Sequence, residues 1–197
     1  SSDPTGDRLE FMNLLVLGLN HQTAPIALRE RVAFSASELR DAVTSLRTAT
    51  QLEEAVILST CNRTEIICTG SIDDKEAITR WLAQDRHCDL SALMPSIYHH
   101  AQTDAVSHLI RVSVGLDSMI IGEPQIFGQM KDAFLTSSGI GATGSLLEPL
   151  FQHIFNSTKR VRSETAIGRH SVTAPATAIA LARNIFSDLK TCRALLI

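Results

Sequence analysis

The chain has 197 residues, 44% of them hydrophobic, with a formal charge of -3 and four cysteines. This composition supports an ordinary packed core and carries no global signal for a polyanion, so any nucleic-acid partner would be recognised by a local patch. No run approaches ~18 apolar residues, no signal-peptide core follows the polar start, and Cys61, Cys68, Cys88 and Cys192 show neither CxxC pairing nor zinc-like spacing with histidine; export, membrane insertion, a disulfide framework and a metal centre are not expected, and a reducing cytoplasm fits best.

Residues 1–11 read as an added leader before a native start at Met12. The apolar run Leu14 to Leu19, ending at the turn-prone Asn20, reads as a buried strand. Ser35 and Glu38 then have capping-box spacing, with Phe34 and Leu39 placed as a hydrophobic staple, and Leu39, Ala42, Val43 and Leu46 give the buried face of the helix that follows. Strand patterns at 55–59 and 65–69 flank a tight connection containing Cys61. A second helix over 74–86 buries Ile78, Trp81 and Leu82, and Ile97-Tyr98-His99 supplies a fourth short strand. The order βαββαβ predicts an α+β plait.

From Gln102 the chain reads as helical: a helix enclosed on both sides, a second over 124–137, and a longer one over 146–165. In the last, Leu147, Leu150, Phe151, Ile154, Thr158 and Val161 approach a 3.5-residue spacing, as in a packing spine. Pro175 suits the first turn of a further helix, and the closing Ala194-Leu195-Leu196-Ile197 reads as the opening strand of a following domain.

Cys61 is the residue most suggestive of chemistry. It stands where an apolar strand stops, among Ser59, Thr60, Asn62 and Arg63. A thiol acts as a nucleophile when a neighbouring cation favours its thiolate, and Arg63 or a close histidine could do so. An inert, half-buried thiol is the competing reading. His108, on a mostly apolar helix surface, fits equally a catalytic imidazole and a hydrogen-bonded core imidazole.

Other motifs have plain alternatives. Gly139-Ile140-Gly141-Ala142-Thr143-Gly144 matches GxGxxG, but the segment before it reads as helix, so an interhelical loop is expected in place of a dinucleotide turn. Glu123, Gln125 and Gln129 lie near a helix N-terminus that could hold a small anionic substrate or be no more than a helix-helix turn. Lys159, Arg160, Arg162 and Arg169 form the one dense basic cluster, either a phosphate-neutralising patch or a solvated face.

Three segments, Gly18 to Pro25, Leu58 to Glu65 and Gly115 to Ile126, with Lys159 to Thr165, closely resemble the glutamyl-tRNA reductase family, in family order across Met12 to Ile197. The resemblance implies NADPH-dependent reduction of glutamyl-tRNA to glutamate-1-semialdehyde, the first step of tetrapyrrole synthesis by the five-carbon route. By the same resemblance Cys61 is the nucleophile that forms a glutamyl thioester, and His108 an acid/base or positioning group. Thr60, Arg63, Ser118, Glu123 and Gln129 match positions lining the glutamate pocket, with Arg63 suited to the side-chain carboxylate.

The implied architecture is a ferredoxin-like catalytic plait over 12–101, a helical catalytic subdomain over 102–145, spinal helices over 146–190, and the first strand of an NADPH-binding domain over 191–197. NADPH would then bind beyond this chain, with no cofactor-binding or metal-binding residue expected here. Glutamyl-tRNA is the implied partner, with a homodimeric full-length protein and a glutamate-1-semialdehyde aminomutase as further candidates. Two other functions remain open: a cysteine hydrolase or acyltransferase using Cys61 and a histidine, and a noncatalytic tRNA-binding or regulatory module.

Overall fold

The computed structural model describes residues 13–168 and the isolated positions 179, 181, 182, 185 and 193. The leader expected over 1–11, Arg169, Cys192 and the strand expected at Ala194 to Ile197 lie outside the described residues, as does the helix expected from Pro175 apart from isolated positions.

Strand β1 (Leu14–Asn20) is followed by helices α1 (Ile26–Val32) and α2 (Leu39–Thr50), then by β2 (Ala55–Ser59) and β3 (Arg63–Thr69). Helix α3 (Lys75–Asp85), the short α4 (Leu90–Leu93) and strand β4 (Tyr98–Ala101) complete the plait. All pairings are antiparallel, in the order β2-β3-β1-β4. This is the ferredoxin-like arrangement that the βαββαβ pattern predicts.

All seven residues of β1 are buried, because helices cover both faces of the sheet. On one face Leu15, Leu17, Leu19, Ile57 and Ile66 pack with Val43 and Leu46 of α2 and Ile78 and Leu82 of α3. On the other, Leu14, Val16, Val56, Leu58 and Ile67 pack with α5 (Gln102–Val114), α6 (Gln125–Ser138) and α7 (Leu147–Glu164), through Leu109, Met130, Leu150, Phe151 and Ile154. Alternation along each strand assigns its residues to one core or the other. Burying a side chain of this size stabilises the fold by about 1.5–3 kcal/mol.

Three details differ from the sequence expectations. Strand β3 begins at Arg63, two residues earlier than the apolar pattern indicates, because Arg63 and Thr64 pair with Asn20 and Leu19 of β1 despite their polarity. Strand β4 runs over Tyr98–Ala101, shifted toward the C-terminus from Ile97-Tyr98-His99. The Ser35/Glu38 box forms only in half: Glu38 accepts from the Ser35 amide (2.7 Å) and hydroxyl (2.5 Å), and helix α2 starts only at Leu39.

The GxGxxG segment lies in the loop between α6 and α7, with the Glu54 carboxylate against the first turn of α7. The amides of Gly144 (2.7 Å), Leu146 (3.1 Å) and Leu147 (2.8 Å) all donate to Glu54. A side-chain carboxylate thus fills the place a pyrophosphate would need, and caps the helix from a distant part of the sequence.

Candidate functional site

Cys61 sits in the three-residue connection, Thr60-Cys61-Asn62, between β2 and β3. Its side chain is exposed. The turn is held from inside by Thr60, whose Oγ1 accepts from the amides of Asn62 (3.2 Å) and Arg63 (3.1 Å) and whose own amide donates to the Arg63 carbonyl at 2.8 Å. From outside, Arg29 of α1 donates through Nη1 to the Cys61 carbonyl (3.1 Å) and to Asn62 Oδ1 (2.9 Å). Of the other described cysteines, burial pushes the Cys68 thiol up to about 12, and burial also raises the Cys88 thiol.

Behind the turn, Arg63, Glu65 and Ile67 project from the same face of β3, toward α5. Glu65 is completely buried, and its Oε1 accepts from Arg63 Nη1 (2.9 Å), His108 Nε2 (2.7 Å) and the Tyr98 hydroxyl. Burial alone would raise the Glu65 carboxyl, but the His108 bond, the Arg63 charge and the Tyr98 bond bring it down to about 2. Burial and the Glu65 charge push the Tyr98 phenol upward, so it remains a hydroxyl donor.

An ionised Glu65 only accepts, which assigns the Nε2 proton of His108 to that bond and turns Nδ1 toward Asp117, whose Oδ2 lies 3.8 Å away. Asp117 follows α5 in a loop that begins with a left-handed Gly115 (φ 90°). It binds three elements together: its carbonyl accepts from Arg63 Nη2 (2.6 Å), its carboxylate pairs with Arg111 of α5 (2.9 Å), and its other oxygen faces His108.

A cavity of about 470 Å³ opens beside this cluster, lined by Asn20, Gln22 and Thr23 at the end of β1, by Tyr98 and His100 of β4, by Asp104, Ser107, His108 and Arg111 along one stripe of α5, and by Asp117. The His100 and His108 rings stack there at 4.2 Å. Two imidazoles, hydroxyls and carboxylates make a polar chamber suited to proton transfer and hydrogen bonding. Among the described residues no three or more His, Cys, Asp or Glu side chains are grouped so that they could hold a metal ion.

Of the residues singled out from sequence, Cys61 and Thr60 share the hairpin turn, and Arg63 and His108 meet through Glu65. Ser118 and Glu123 are half-buried in the loop before α6, and Gln129 is exposed on α6 itself; none of the three lines the cavity. The basic cluster divides: Lys159 and Arg160 are exposed, whereas Arg162 turns inward and donates to the carbonyls of Val114 (3.1 Å) and Gly122 (3.4 Å). Sequence reasoning missed Glu65, Tyr98, Asp117 and Arg29. A signal for Glu65 was available, since a lone carboxylate beside Ile66 and Ile67 in a strand must be paired if it is buried.

Fold and site together define a ferredoxin-like domain that displays an exposed thiol on a hairpin turn, backed by a buried Arg-Glu-His cluster. The family described as "Glutamyl-tRNAGlu reductase, N-terminal domain" matches residues 17–165, and the chain belongs to that family. It is 46% identical over 186 residues to a glutamyl-tRNA reductase of Marinobacter nauticus, covering 94% of this chain and 43% of that protein. It is 47% identical over 186 residues to one of Pseudomonas fluorescens, with the same coverages. The fold is similar to the solved glutamyl-tRNA reductase from Methanopyrus kandleri, with TM-score 0.68 and 30% identity over 88% of this chain and 40% of that one. The chain thus spans less than half the length of the relatives it matches.

Proposed function

We propose that this chain carries the acyl-transfer part of an NADPH-dependent glutamyl-tRNA reductase, which forms glutamate-1-semialdehyde from glutamyl-tRNA at the first step of five-carbon tetrapyrrole synthesis. The observation that carries this reading is the exposed Cys61 thiol on a hairpin turn held from both sides, within a family named for the reductase.

In this reading the Cys61 thiolate adds to the ester carbonyl of the glutamyl group. The carbon-sulfur bond forms, the bond to the terminal ribose oxygen of the tRNA breaks, and the RNA leaves with a free hydroxyl. That oxygen needs a proton. His108 lines the cavity with its Nε2 proton engaged by Glu65, which leaves Nδ1 an acceptor; in an acid/base or positioning role it would hold there the proton given up by the Cys61 thiol and pass it to that oxygen. Thr60 shapes the turn, and Thr60, Arg63, Ser118, Glu123 and Gln129 form the proposed glutamate pocket.

NADPH would supply the hydride that reduces the acyl group. The described residues do not fit it: the one glycine-rich segment is an interhelical loop, and Glu54 occupies the helix start beside it. The reading therefore places the cofactor in another part of the whole protein, joined through the spinal region of α7. A homodimeric, cytoplasmic enzyme that hands its aldehyde to an aminomutase belongs to the same proposal. No helix among the described residues is long and apolar enough to cross a membrane.

Without hydride, water is the remaining acceptor for the acyl group on Cys61. The 197-residue chain is therefore expected to release free glutamate slowly from glutamyl-tRNA. Deacylation that proceeds unchanged in a Cys61→Ser variant would sink the proposal.

A further inference from the structure

The cavity beside His108 is not lined by Thr60, Arg63, Ser118, Glu123 or Gln129, the residues of the proposed glutamate pocket. It nevertheless lies next to the Cys61 turn, because Asn20 in its wall is the register partner of Arg63, two residues beyond the thiol. Another part of the substrate therefore has room there. The volume of about 470 Å³ falls within the range of roughly 300–1,000 Å³ usual for small-molecule sites.

The charge of the wall decides which part. Among the described residues that line it, Arg111 is the one arginine or lysine, and it is paired with Asp117 at 2.9 Å. Asp104 makes no ion pair among the described residues. Burial first, then the His108 charge, lowers the pKa of His100, so that ring adds no charge at pH 7. A carboxylate or a phosphate would meet the free Asp104 carboxylate without a free arginine or lysine to offset it. Uncharged groups rich in hydroxyl and amino donors would find acceptors instead.

The rings of Tyr98, His100 and His108 adjoin one another in this wall, with His100 stacked on His108 at 4.2 Å and Tyr98 at 5.6 Å from each. Ring surface of this kind stacks against nucleobases. The exposed Gln22 brings the donor and acceptor that together match an adenine edge.

The reaction directs the leaving group to the same place. In the acyl-transfer reading His108 passes a proton to the terminal ribose oxygen, so that ribose comes within hydrogen-bond reach of a ring that lines this cavity. Asp104 stands four residues before His108 on α5, hence on the same helix face. Carboxylates hold ribose hydroxyls in this manner in nucleotide sites.

We propose that the cavity is the subsite for the 3′-terminal adenosine of the tRNA, with Asp104 accepting from its ribose and with Gln22 and His100 receiving its base. This rests on the acyl-transfer reading above and extends it from the glutamyl group to the nucleoside that leaves. The same charge turns the glutamyl carboxylate away from the cavity, which fixes the direction in which the ester lies across the turn.

The test follows acylation of Cys61 by mass spectrometry with two small substrates, the glutamyl ester of adenosine and the α-methyl ester of glutamate. The wild-type chain should prefer the adenosine ester. Loss of a hydrogen bond to a charged group is worth about 10-fold, so Asp104→Asn should cut kcat/KM for the adenosine ester by about that factor and change the rate with the methyl ester far less. Gln22→Ala should act in the same direction by a smaller factor. Both side chains are exposed, so neither substitution removes a buried contact. Free adenosine should slow acylation by the adenosine ester, and nicotinamide riboside, the other ribonucleoside of the proposed reaction, should not.

Equal losses with both esters in Asp104→Asn, or a wild-type chain without preference between them, overturn the subsite while acylation of Cys61 stands. Slowing by nicotinamide riboside and not by adenosine assigns the cavity to the cofactor and overturns it as well. A wild-type chain never acylated at Cys61, by either ester or by glutamyl-tRNA, overturns the acyl-transfer reading itself.

Discussion

Tyr98 and Glu65 are hydrogen-bonded across a strand that separates them. Tyr98 belongs to β4 and Glu65 to β3, both strands pair with β1, and in register both residues face Gly18. The absence of a side chain at Gly18 opens the path. A Cβ there would lie 2.8 Å from Glu65 Cγ and 2.4 Å from the Thr64 carbonyl oxygen; the carbonyl cannot move without disturbing the ladder, nor the side chain without disturbing its bonds to Arg63, Tyr98 and His108. Gly18→Ala is therefore expected to destabilise the fold by about 1–3 kcal/mol, as overpacked cores do. Urea denaturation measures this, and a variant as stable as the wild type would contradict it.

Glu65 also sets an acid limit. Its carboxyl is held at about 2 in the fold against an ordinary 4.5, so between those values the unfolded chain binds more protons than the folded one. The stability from this group is complete above about 4.5 and disappears as pH falls through about 2. Glu38, lowered to about 2 by its bonds to Ser35 and Arg86, titrates over the same window on the surface. Comparing denaturation curves from pH 7 to 2 in the wild type and Glu65→Gln separates the two. The variant should be less stable at pH 7, because Arg63 is left buried without its counter-charge, and should lose less on acidification. Parallel curves would show that Glu65 is not the buried anion described.

The fold was legible where period and punctuation agree. The 3.6-residue stripes of α2, α3 and α7 and the apolar strands β1 and β2 are visible in the residues themselves, and the unbroken burial of β1 follows from its lack of alternation. The place of Cys61 between two strands was legible, because a thiol where an apolar run ends is a local feature. Glu65, Tyr98 and Asp117 were not. Their roles depend on a gap at Gly18, a helix more than forty positions downstream of Glu65 and a loop carbonyl, none of which leaves a periodic trace. Arg162 read as part of a basic patch for the same reason: the carbonyls that draw it inward, Val114 and Gly122, come from elsewhere in the chain.

Exposure distinguishes the thiols. Cys61 is open to solvent, while Cys68 is buried with its pKa pushed up to about 12 and Cys88 is half-buried with its pKa raised. Iodoacetamide at neutral pH should modify Cys61 well before either, and the order should vanish in denaturant. Peptide mapping over a time course reads this directly. Equal labelling of Cys61 and Cys68 in the folded chain would contradict the exposed turn.

In the proposed function the Cys61 thiol accepts the glutamyl group from tRNA. The most direct measurement is rapid acid quenching of the chain after mixing with glutamyl-tRNA, followed by mass spectrometry of the peptide that contains Cys61. The expected result is a peptide heavier by one glutamyl group, sensitive to hydroxylamine as a thioester is and absent in Cys61→Ser. An unmodified Cys61 peptide under conditions in which the tRNA is nonetheless deacylated would contradict acyl transfer to Cys61.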